Sequence, residues 1–396
     1  MTDLSLFDRE IDRSGTFSTK YDARQAIFGH AGVMPLWVAD MDFAAPAEVT
    51  EALRIRATHP IYGYTQAPDS VYTALINWLK QRHGWEVSRE WIVLCPGVMP
   101  SVTTAILTLT EADARVIVQP PVYFPFFSAI GKTGRQLLKN PLRQQQDQRY
   151  GMDLETLSAQ AATARMMLFC SPHNPVGRVW RKSELLDMLE ICQRHQLIVV
   201  CDEIHADLIY PEYQHQVLAA LTDNPQQIIT AVAPSKTFNI PGLNLSALIV
   251  PNPQYRKAII DYLDKLHISV TNPFSLVAFE AAYQHGELWL DFLMTYLAHS
   301  RDLVQRFLTE YLPEIKLIPP QGTYLLWLDC RALGMNDDAL NRFFIFEAGI
   351  GLSPGVLFGA EGTGFMRMNL AAPRHKIQQA LDNIIGAVHR YRQGQI

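Results

Sequence analysis

The chain has 396 residues, of which 48% are hydrophobic and 18% are charged, a composition typical of folded proteins with sizeable cores rather than of disordered or fibrous ones. Its 34 Lys and Arg against 39 Asp and Glu give a formal net charge of -5 without a basic block, which argues against a nucleic-acid partner. No apolar run approaches the roughly 18 residues of a membrane span, and charges occupy the first fifteen residues where a signal peptide would be apolar. We therefore expect a cytoplasmic protein with no membrane partner.

The chain opens with about 45 irregular residues, in which residues 35–43 form an extended segment that ends in a turn. We expect this segment to pack on a second domain or to line a cleft between two domains. Beyond residue 90, short apolar runs alternate with helical patterns, the order typical of a mainly parallel sheet with crossover helices. The predicted strands are residues 92–94, 116–118, 166–170, 198–201, 228–232 and 245–250.

The pattern changes near residue 285 to long helices, residues 289–311 and 375–392, around strand-like segments at residues 322–328 and 364–369. This order predicts a smaller α+β domain after the α/β one. We therefore expect a large domain over residues 46–285, a small domain over 286–396, and an N-terminal segment, residues 1–45, that packs with the small domain.

The cysteines and histidines give no sign of a metal site or a disulfide framework. The cysteines are odd in number, lack CxxC spacing and sit mostly in apolar surroundings, so we expect reduced core residues. The twelve histidines include no HExxH pattern, and no metal is expected. The cysteines are Cys95, Cys170, Cys192, Cys201 and Cys330.

Three polar loops directly follow predicted strands, at the edge of the sheet where open α/β proteins bind ligands. Lys236 lies in loop 233–243, which is rich in residues that interrupt helices and strands. Asp202 directly follows an apolar strand, and Asn174 lies in a loop whose conformation is restricted by two prolines. Each signal has an ordinary alternative when taken alone, namely a surface lysine, a helix N-cap and a simple turn.

Together, and in this order, these three segments resemble the aspartate-aminotransferase-like (fold type I) family of pyridoxal 5'-phosphate (PLP) enzymes, from Trp37 to about Arg392. The resemblance implies that Lys236 forms a Schiff base with the cofactor and then moves the proton at the substrate Cα. Asp202 would pair with the pyridine nitrogen, and Asn174 would hydrogen-bond the ring hydroxyl oxygen. Tyr123 matches the aromatic residue that stacks on the ring, although it could also be an ordinary core tyrosine.

The same resemblance implies a phosphate site, a substrate site and a shared dimer. The backbone of Gly97, Val98 and Met99, at a helix start, suits the phosphate. Tyr64 matches a tyrosine that reaches the phosphate from the other subunit, which implies a homodimer with shared active sites. Arg367 matches the arginine that clamps the substrate carboxylate. His205 falls near Asp202 and the ring, where it could equally be structural.

Two departures from the transaminase pattern leave part of the phosphate site open. An arginine usually lies eight residues after the lysine, where this chain has Asn244, and a serine usually lies three residues before it, where this chain has Ala233. Ser235, Thr237 and backbone donors are the candidates to compensate.

The amino-acid sequences of segments 37–43, 235–243 and 322–329 resemble those of one branch of the family, the MalY/PatB-type cystathionine β-lyases. That resemblance implies α,β-elimination of cystathionine or related cysteine S-conjugates to a thiol, pyruvate and ammonia. Lys236 or a nearby tyrosine, Tyr123 or Tyr64, would protonate the leaving thiolate. We expect Trp37, Phe124 and Tyr324 to line the site and to favour an amino-acid thioether as substrate.

Two other functions remain open from the sequence. An aminotransferase of similar fold would use the same groups and return the proton to the cofactor. A ligand-sensing protein that has lost turnover is the third possibility, and the intact set of Lys236, Asp202, Asn174 and Arg367 argues against it.

Overall fold

The computed structural model describes residues 4–268 and 272–395, so each of the three predicted segments includes between one and three residues outside the described chain. The strands are β1 Met34–Pro35, β2 Ile92–Cys95, β3 Arg115–Val118, β4 Gln136–Lys139, β5 Arg143–Gln144, β6 Tyr150–Gly151, β7 Met166–Cys170, β8 Ile198–Asp202, β9 Ile228–Val232, β10 Ser246–Ile249, β11 Lys316–Leu317, β12 Leu325–Asp329, β13 Ile350–Gly351, β14 Ser353–Pro354 and β15 Phe365–Asn369.

The α-helices are α1 Thr19–Asp22, α2 Arg24–Phe28, α3 Ala47–Thr58, α4 Asp69–His83, α5 Val98–Leu109, α6 Pro125–Lys132, α7 Leu154–Ala161, α8 Lys182–Arg194, α9 Pro234–Thr237, α10 Pro253–Lys265, α11 Pro273–His285, α12 Glu287–Tyr311, α13 Asp337–Arg342 and α14 Arg374–Arg392. None of these helices is both long and apolar enough to cross a membrane.

A seven-stranded sheet in the order β2-β10-β9-β8-β7-β3-β4 forms the centre of the molecule. Its middle strands β7, β8 and β9 are buried along their whole length. Alternate residues of β7 point to opposite faces, since Met167 and Phe169 join one apolar cluster and Met166 and Leu168 join another. Helices therefore cover both faces, which explains why these strands are continuous apolar runs in the sequence.

All six predicted strands of this sheet are present, with bounds that differ by a residue or less at each end. The pairs from β4 through β9 are parallel, whereas β10 runs antiparallel to both β9 and β2. The sheet is thus mainly parallel, as predicted. Edge strand β4 was not predicted, because its residues are mostly exposed and lack the apolar run of the central strands.

A second sheet, in the order β11-β12-β15-β14, is antiparallel throughout. We call the part of the chain around the seven-stranded sheet the first lobe and the part around this second sheet the second lobe. Strand β12 begins three residues later than predicted, because the amide groups of Gly322 and Thr323 donate to Gly177 O and Leu208 O of the first lobe instead of joining the second sheet. The architecture, a mainly parallel sheet covered by helices on both faces together with a smaller antiparallel sheet, is the aspartate-aminotransferase-like α/β fold, and the domain boundaries at residues 45 and 285 stay predictions.

The N-terminal segment contacts the C-terminal part of the chain. Phe7 packs against Trp289 and Tyr296 of α12, and β1 pairs in parallel with β13. The five cysteines are free and buried, as predicted.

Candidate active site

A cavity of about 580 Å³ opens at the carboxyl ends of β7, β8 and β9. The parallel register places Cys170 opposite Asp202, and Asp202 opposite Ala231, so the three predicted loops leave the sheet at one edge. Most of the predicted site residues line this cavity, namely Lys236, Asp202, Asn174, Tyr123, His205, Gly97, Val98, Met99, Ser235 and Arg367. Tyr64 and Tyr324 are not among the lining residues.

Lys236 lies on the short helix α9, four residues after β9 ends. Its Nζ donates to the backbone oxygen of Ala39 at 2.5 Å. Burial lowers the pKa of Lys236 to about 8, although the negative charges of Asp40 and Asp202 act in the opposite direction. A substantial share of this amine is therefore neutral near physiological pH, which is the form that attacks a carbonyl carbon.

Asp202 ends β8 and is 4% exposed. Burial raises the pKa of its carboxyl to about 6, although the amide of Ile204, which donates to Oδ1 at 3.1 Å, and the charge of Lys236 act against this. No ion pair with Asp202 is present among the described residues, and no helix begins there, so the N-cap alternative is wrong. A buried carboxylate of this kind is suited to a cationic N–H donor in the cavity.

Arg367 and Asn174 are adjacent in the cavity lining, since Nη1 of the arginine donates to Oδ1 of Asn174 at 3.1 Å. The Nη2 atom donates to Trp37 O at 2.9 Å and to Ser353 Oγ at 3.3 Å, while Nε is buried without a partner. Burial lowers the pKa of Arg367 to about 10, so the guanidinium stays charged at neutral pH. Because no described carboxylate neutralises it, Arg367 is free to bind the carboxylate of a ligand.

Tyr123 and His205 complete the wall around these groups. Burial, and then the charge of Asp202, raise the pKa of the Tyr123 hydroxyl, so it is protonated at neutral pH. Burial lowers the pKa of His205 to about 3, which keeps the ring neutral. The Nδ1 atom of His205 is buried without a hydrogen-bond partner, so it retains capacity to bond a ligand.

The end of the cavity at α5 is built for an anion. Gly97 precedes the helix with a φ of +99°, a conformation open to glycine, and the helix has no side-chain cap. The first turn of α5 therefore presents the amide groups of Val98 and Met99 and the positive end of its dipole to the cavity, whereas the predicted donor Gly97 already donates its amide to Cys95 O. Ser235 and Asn244 line the same cavity. The proposed compensation by Thr237 is wrong, because its hydroxyl is fully buried and donates to Asp207 Oδ2 at 2.7 Å.

Residues 37–43 form a strap along the cavity, in agreement with the expectation that they pack on the second lobe or line a cleft. The backbone oxygens of Trp37 and Ala39 accept hydrogen bonds from Arg367 and Lys236 respectively. Asn239 holds the strap from the other side, since its side chain accepts from Met41 N and donates to Met41 O and Phe43 O.

The carboxylates of the strap are neutralised by a cluster that the sequence analysis did not identify. Asp42 pairs with Arg13 at 2.8 Å and with the fully buried Lys20 at 3.1 Å. Asp40 pairs with Arg13 at 2.7 Å. The only sequence signal was the unusual density of charges before residue 43, which carried no hint that they meet.

Two predicted residues lie elsewhere. The Tyr324 hydroxyl donates to Ala39 O at 2.9 Å and so supports the strap, but Tyr324 is not among the residues that line the cavity, so that expectation is wrong. Tyr64 is fully exposed in a loop before α4, away from the cavity of its own chain. Trp37, Phe124 and Leu357 form an apolar part of the cavity lining. The sequence analysis did not identify Leu357, nor the polar lining residue Ser353.

Comparisons with known proteins identify the family of the chain. The sequence profile of the family described as aminotransferase class I and II matches residues 31–384. The chain belongs to this family. The chain is similar to the cystathionine beta-lyase PatB of Bacillus subtilis (strain 168), with 40% identity over 96% of this chain and 99% of PatB. It is also similar to protein MalY of Escherichia coli (strain K12), with 33% identity over 98% and 99% of the two chains.

A solved structure of another protein is nearly the same as that of this chain. Cystalysin from Treponema denticola, which contains a pyridoxal 5'-phosphate cofactor, superimposes with a TM-score of 0.94. The two chains are 35% identical, and the match covers 97% of this chain and 99% of cystalysin.

Proposed function

We propose that the protein is a PLP-dependent carbon-sulfur β-lyase that cleaves cystathionine or related cysteine S-conjugates by α,β-elimination. The observation that carries this proposal is the 40% identity with a cystathionine beta-lyase over 96% of the chain. The cavity supplies the groups that such a reaction needs, a half-buried lysine and a buried arginine without an ion pair among the described residues.

The cavity fits PLP at each of its functional groups. Asp202, buried and without an ion pair, suits the protonated pyridine nitrogen, and the start of α5 suits the phosphate. Asn174 and the unpartnered Nδ1 of His205 line the same cavity and would bond polar substituents of the ring. When bound, PLP supplies an electrophilic carbon for an amino group and a ring that takes up electrons from the substrate Cα.

The residues of the chain divide the remaining work. The Arg367 guanidinium binds the substrate carboxylate and fixes the orientation of the Cα–H bond toward Lys236. The neutral Lys236 amine removes the Cα proton, and the Cβ–S bond breaks with release of a thiolate. Lys236, Tyr123 or Tyr64 then protonates the sulfur. The released aminoacrylate hydrolyses to pyruvate and ammonia, so atoms and charges balance.

We infer that the enzyme acts as a homodimer with shared active sites. Tyr64 is fully exposed and lies outside the cavity of its own chain, and the neighbouring Ile61 and Tyr62 are also exposed. An exposed apolar loop of this kind is typical of a surface that a partner covers. In the dimer, Tyr64 reaches the phosphate end of the partner's cavity.

The proposal is tested by product analysis with a panel of cysteine thioethers, including cystathionine, supplied to the PLP-loaded protein. We expect pyruvate and free thiol from several of them. The alternative, an aminotransferase, instead predicts a 2-oxo acid that keeps the sulfur substituent, and release of that acid without thiol would refute the lyase assignment. The Lys236→Ala variant serves as the background control, since it lacks the base.

A further inference from the structure

A buried polar network lies behind the active-site lysine, on the side of helix α9 that faces away from the cavity. Its centre is Asp207, in the turn after β8, which is 9% exposed. We propose that Asp207 is a positioning residue for Lys236 that acts through Thr237. Neither Asp207 nor Thr237 touches the cavity, so neither takes part in the chemistry described above.

The first arm of the network holds the residue that follows Lys236. The hydroxyl of Thr237 is fully buried and donates to Asp207 Oδ2 at 2.7 Å. Lys236 points the other way, since its Nζ reaches Ala39 O in the strap. Adjacent residues of one short turn are therefore held on opposite sides, one by the strap and one by Asp207.

The second arm ties Asp207 to the end of helix α4. Its Oδ1 accepts from Trp78 Nε1 at 3.0 Å and lies 2.7 Å from His83 Nε2. Burial alone would raise the pKa of the Asp207 carboxyl, but the hydrogen bonds from His83, Thr237 and Trp78 hold it below its ordinary value. The carboxylate is therefore ionised and uses both oxygens as acceptors, which fixes its orientation between α4 and α9.

Helix α9 needs such an anchor because it has only four residues, Pro234–Thr237. So short a helix forms too few internal hydrogen bonds to fix its own orientation. The direction of the Lys236 side chain therefore depends on what holds the turn. A displacement of about 1 Å at a reacting group can reduce a rate by up to about 100-fold, so a lost anchor is measurable at the lysine.

The test follows covalent capture of PLP by Lys236 in the cofactor-free protein, trapped by borohydride reduction and counted by mass spectrometry of the Lys236 peptide. We expect Thr237→Val and Asp207→Asn each to slow capture about tenfold. The loaded enzymes should lose kcat about tenfold, with KM within about twofold of the unaltered protein. Thr237→Ser, which keeps the hydroxyl, should leave the capture rate and kcat close to those of the unaltered protein.

The matched control is Thr110→Val, because Thr110 is also a buried threonine whose hydroxyl is bonded, to Ile106 O, and it lies outside the cavity. It should lower the unfolding midpoint much as Thr237→Val does and leave capture unchanged. The double variant Asp207→Asn/Thr237→Val should capture PLP no more slowly than Asp207→Asn alone, since both changes break one path. Additive slowing, or slowing in Thr110→Val, would overturn the inference.

The inference rests on the proposed role of Lys236, and the two can fail separately. If the unaltered protein captures no PLP on Lys236, the role of the lysine is wrong. If the unaltered protein captures PLP and Thr237→Val and Asp207→Asn do so equally fast, the lysine keeps its role and the positioning by Asp207 is wrong.

Discussion

At the scale of single residues, burial tunes the charged groups of the cavity toward their tasks. The pKa of Lys236 falls to about 8 and that of Asp202 rises to about 6, each because burial disfavours the charged form. Arg367 is buried as well but keeps its charge, because its pKa of about 10 still lies above neutral pH. The site thus combines a lysine that gives up its proton readily with an arginine that does not.

The pKa of Lys236 predicts the pH profile of PLP capture by the cofactor-free protein. Only the neutral amine attacks, and a lowered pKa means that this form increases with pH and is complete above the pKa. We expect the capture rate to rise about tenfold per pH unit and to level off near pH 8. A rate that still rises above about pH 10, as for an ordinary lysine, would show that burial does not shift this amine.

Arg367 predicts a change in substrate binding rather than in chemistry. Arg367→Lys keeps the charge but loses the paired donors, which costs about 1.5–3 kcal/mol and raises KM for the amino acid about 10- to 100-fold. The exposed Arg306→Lys is the control and should leave KM unchanged. Steady-state kinetics measure both, and an unchanged KM in Arg367→Lys would exclude the carboxylate contact.

The sequence predicted which residues meet at the sheet edge, because strand order and loop position place Lys236, Asp202 and Asn174 together. It could not predict the direction of individual side chains. Thr237 and Tyr324 were expected at the cavity, yet neither lines it, since Thr237 donates to Asp207 and Tyr324 donates to Ala39 O. Such directions depend on long-range packing partners that sequence spacing does not reveal.

At the scale of elements, the strap at residues 37–43 decides how the two lobes share the site. Its backbone oxygens bond Lys236 from the first lobe and Arg367 from the second. From the residues of the strap we predicted an extended segment in a cleft. The sequence did not predict the cationic side chains that neutralise the carboxylates of the strap. Lys20 is fully buried and pairs with Asp42, a contact between residues that the sequence gives no reason to join.

Asn239 predicts how firmly the strap is held. Asn239→Gly removes three hydrogen bonds to residues 41–43 while tolerating the φ of +56°, and we expect the free energy of unfolding to fall by about 2–4 kcal/mol. Asn239→Ala should cost about 1 kcal/mol more, because alanine is strained at that φ. Urea denaturation measures both, and a loss below about 1 kcal/mol in the glycine variant would show that Asn239 does not hold the strap.

At the scale of the whole molecule, the proposed dimer explains why Tyr64 lies outside the cavity of its own chain. Strand patterns gave the α/β class and the mainly parallel sheet, because buried central strands are visible as apolar runs. The antiparallel direction of β10 could not be predicted from those runs, since strand direction depends on the assembled sheet. The proposed shared site is implied by the family resemblance and not by the strand pattern.

Shared sites predict complementation between two inactive variants. When Tyr64→Ala and Lys236→Ala chains are co-expressed, half of the dimers are mixed and each mixed dimer has one intact site, so activity should recover to about a quarter of the unaltered level. Each variant alone is the control. Activity no greater than the average of the two variants would show that Tyr64 does not serve a partner's site.

The central claim, that the protein is a carbon-sulfur β-lyase, is tested most directly by measuring thiol and pyruvate together during turnover of cystathionine. The elimination described here predicts equal amounts of the two products, rising at the same rate and absent in Lys236→Ala. A reaction that consumes the amino acid without releasing thiol, or that yields thiol equally well in Lys236→Ala, would contradict it.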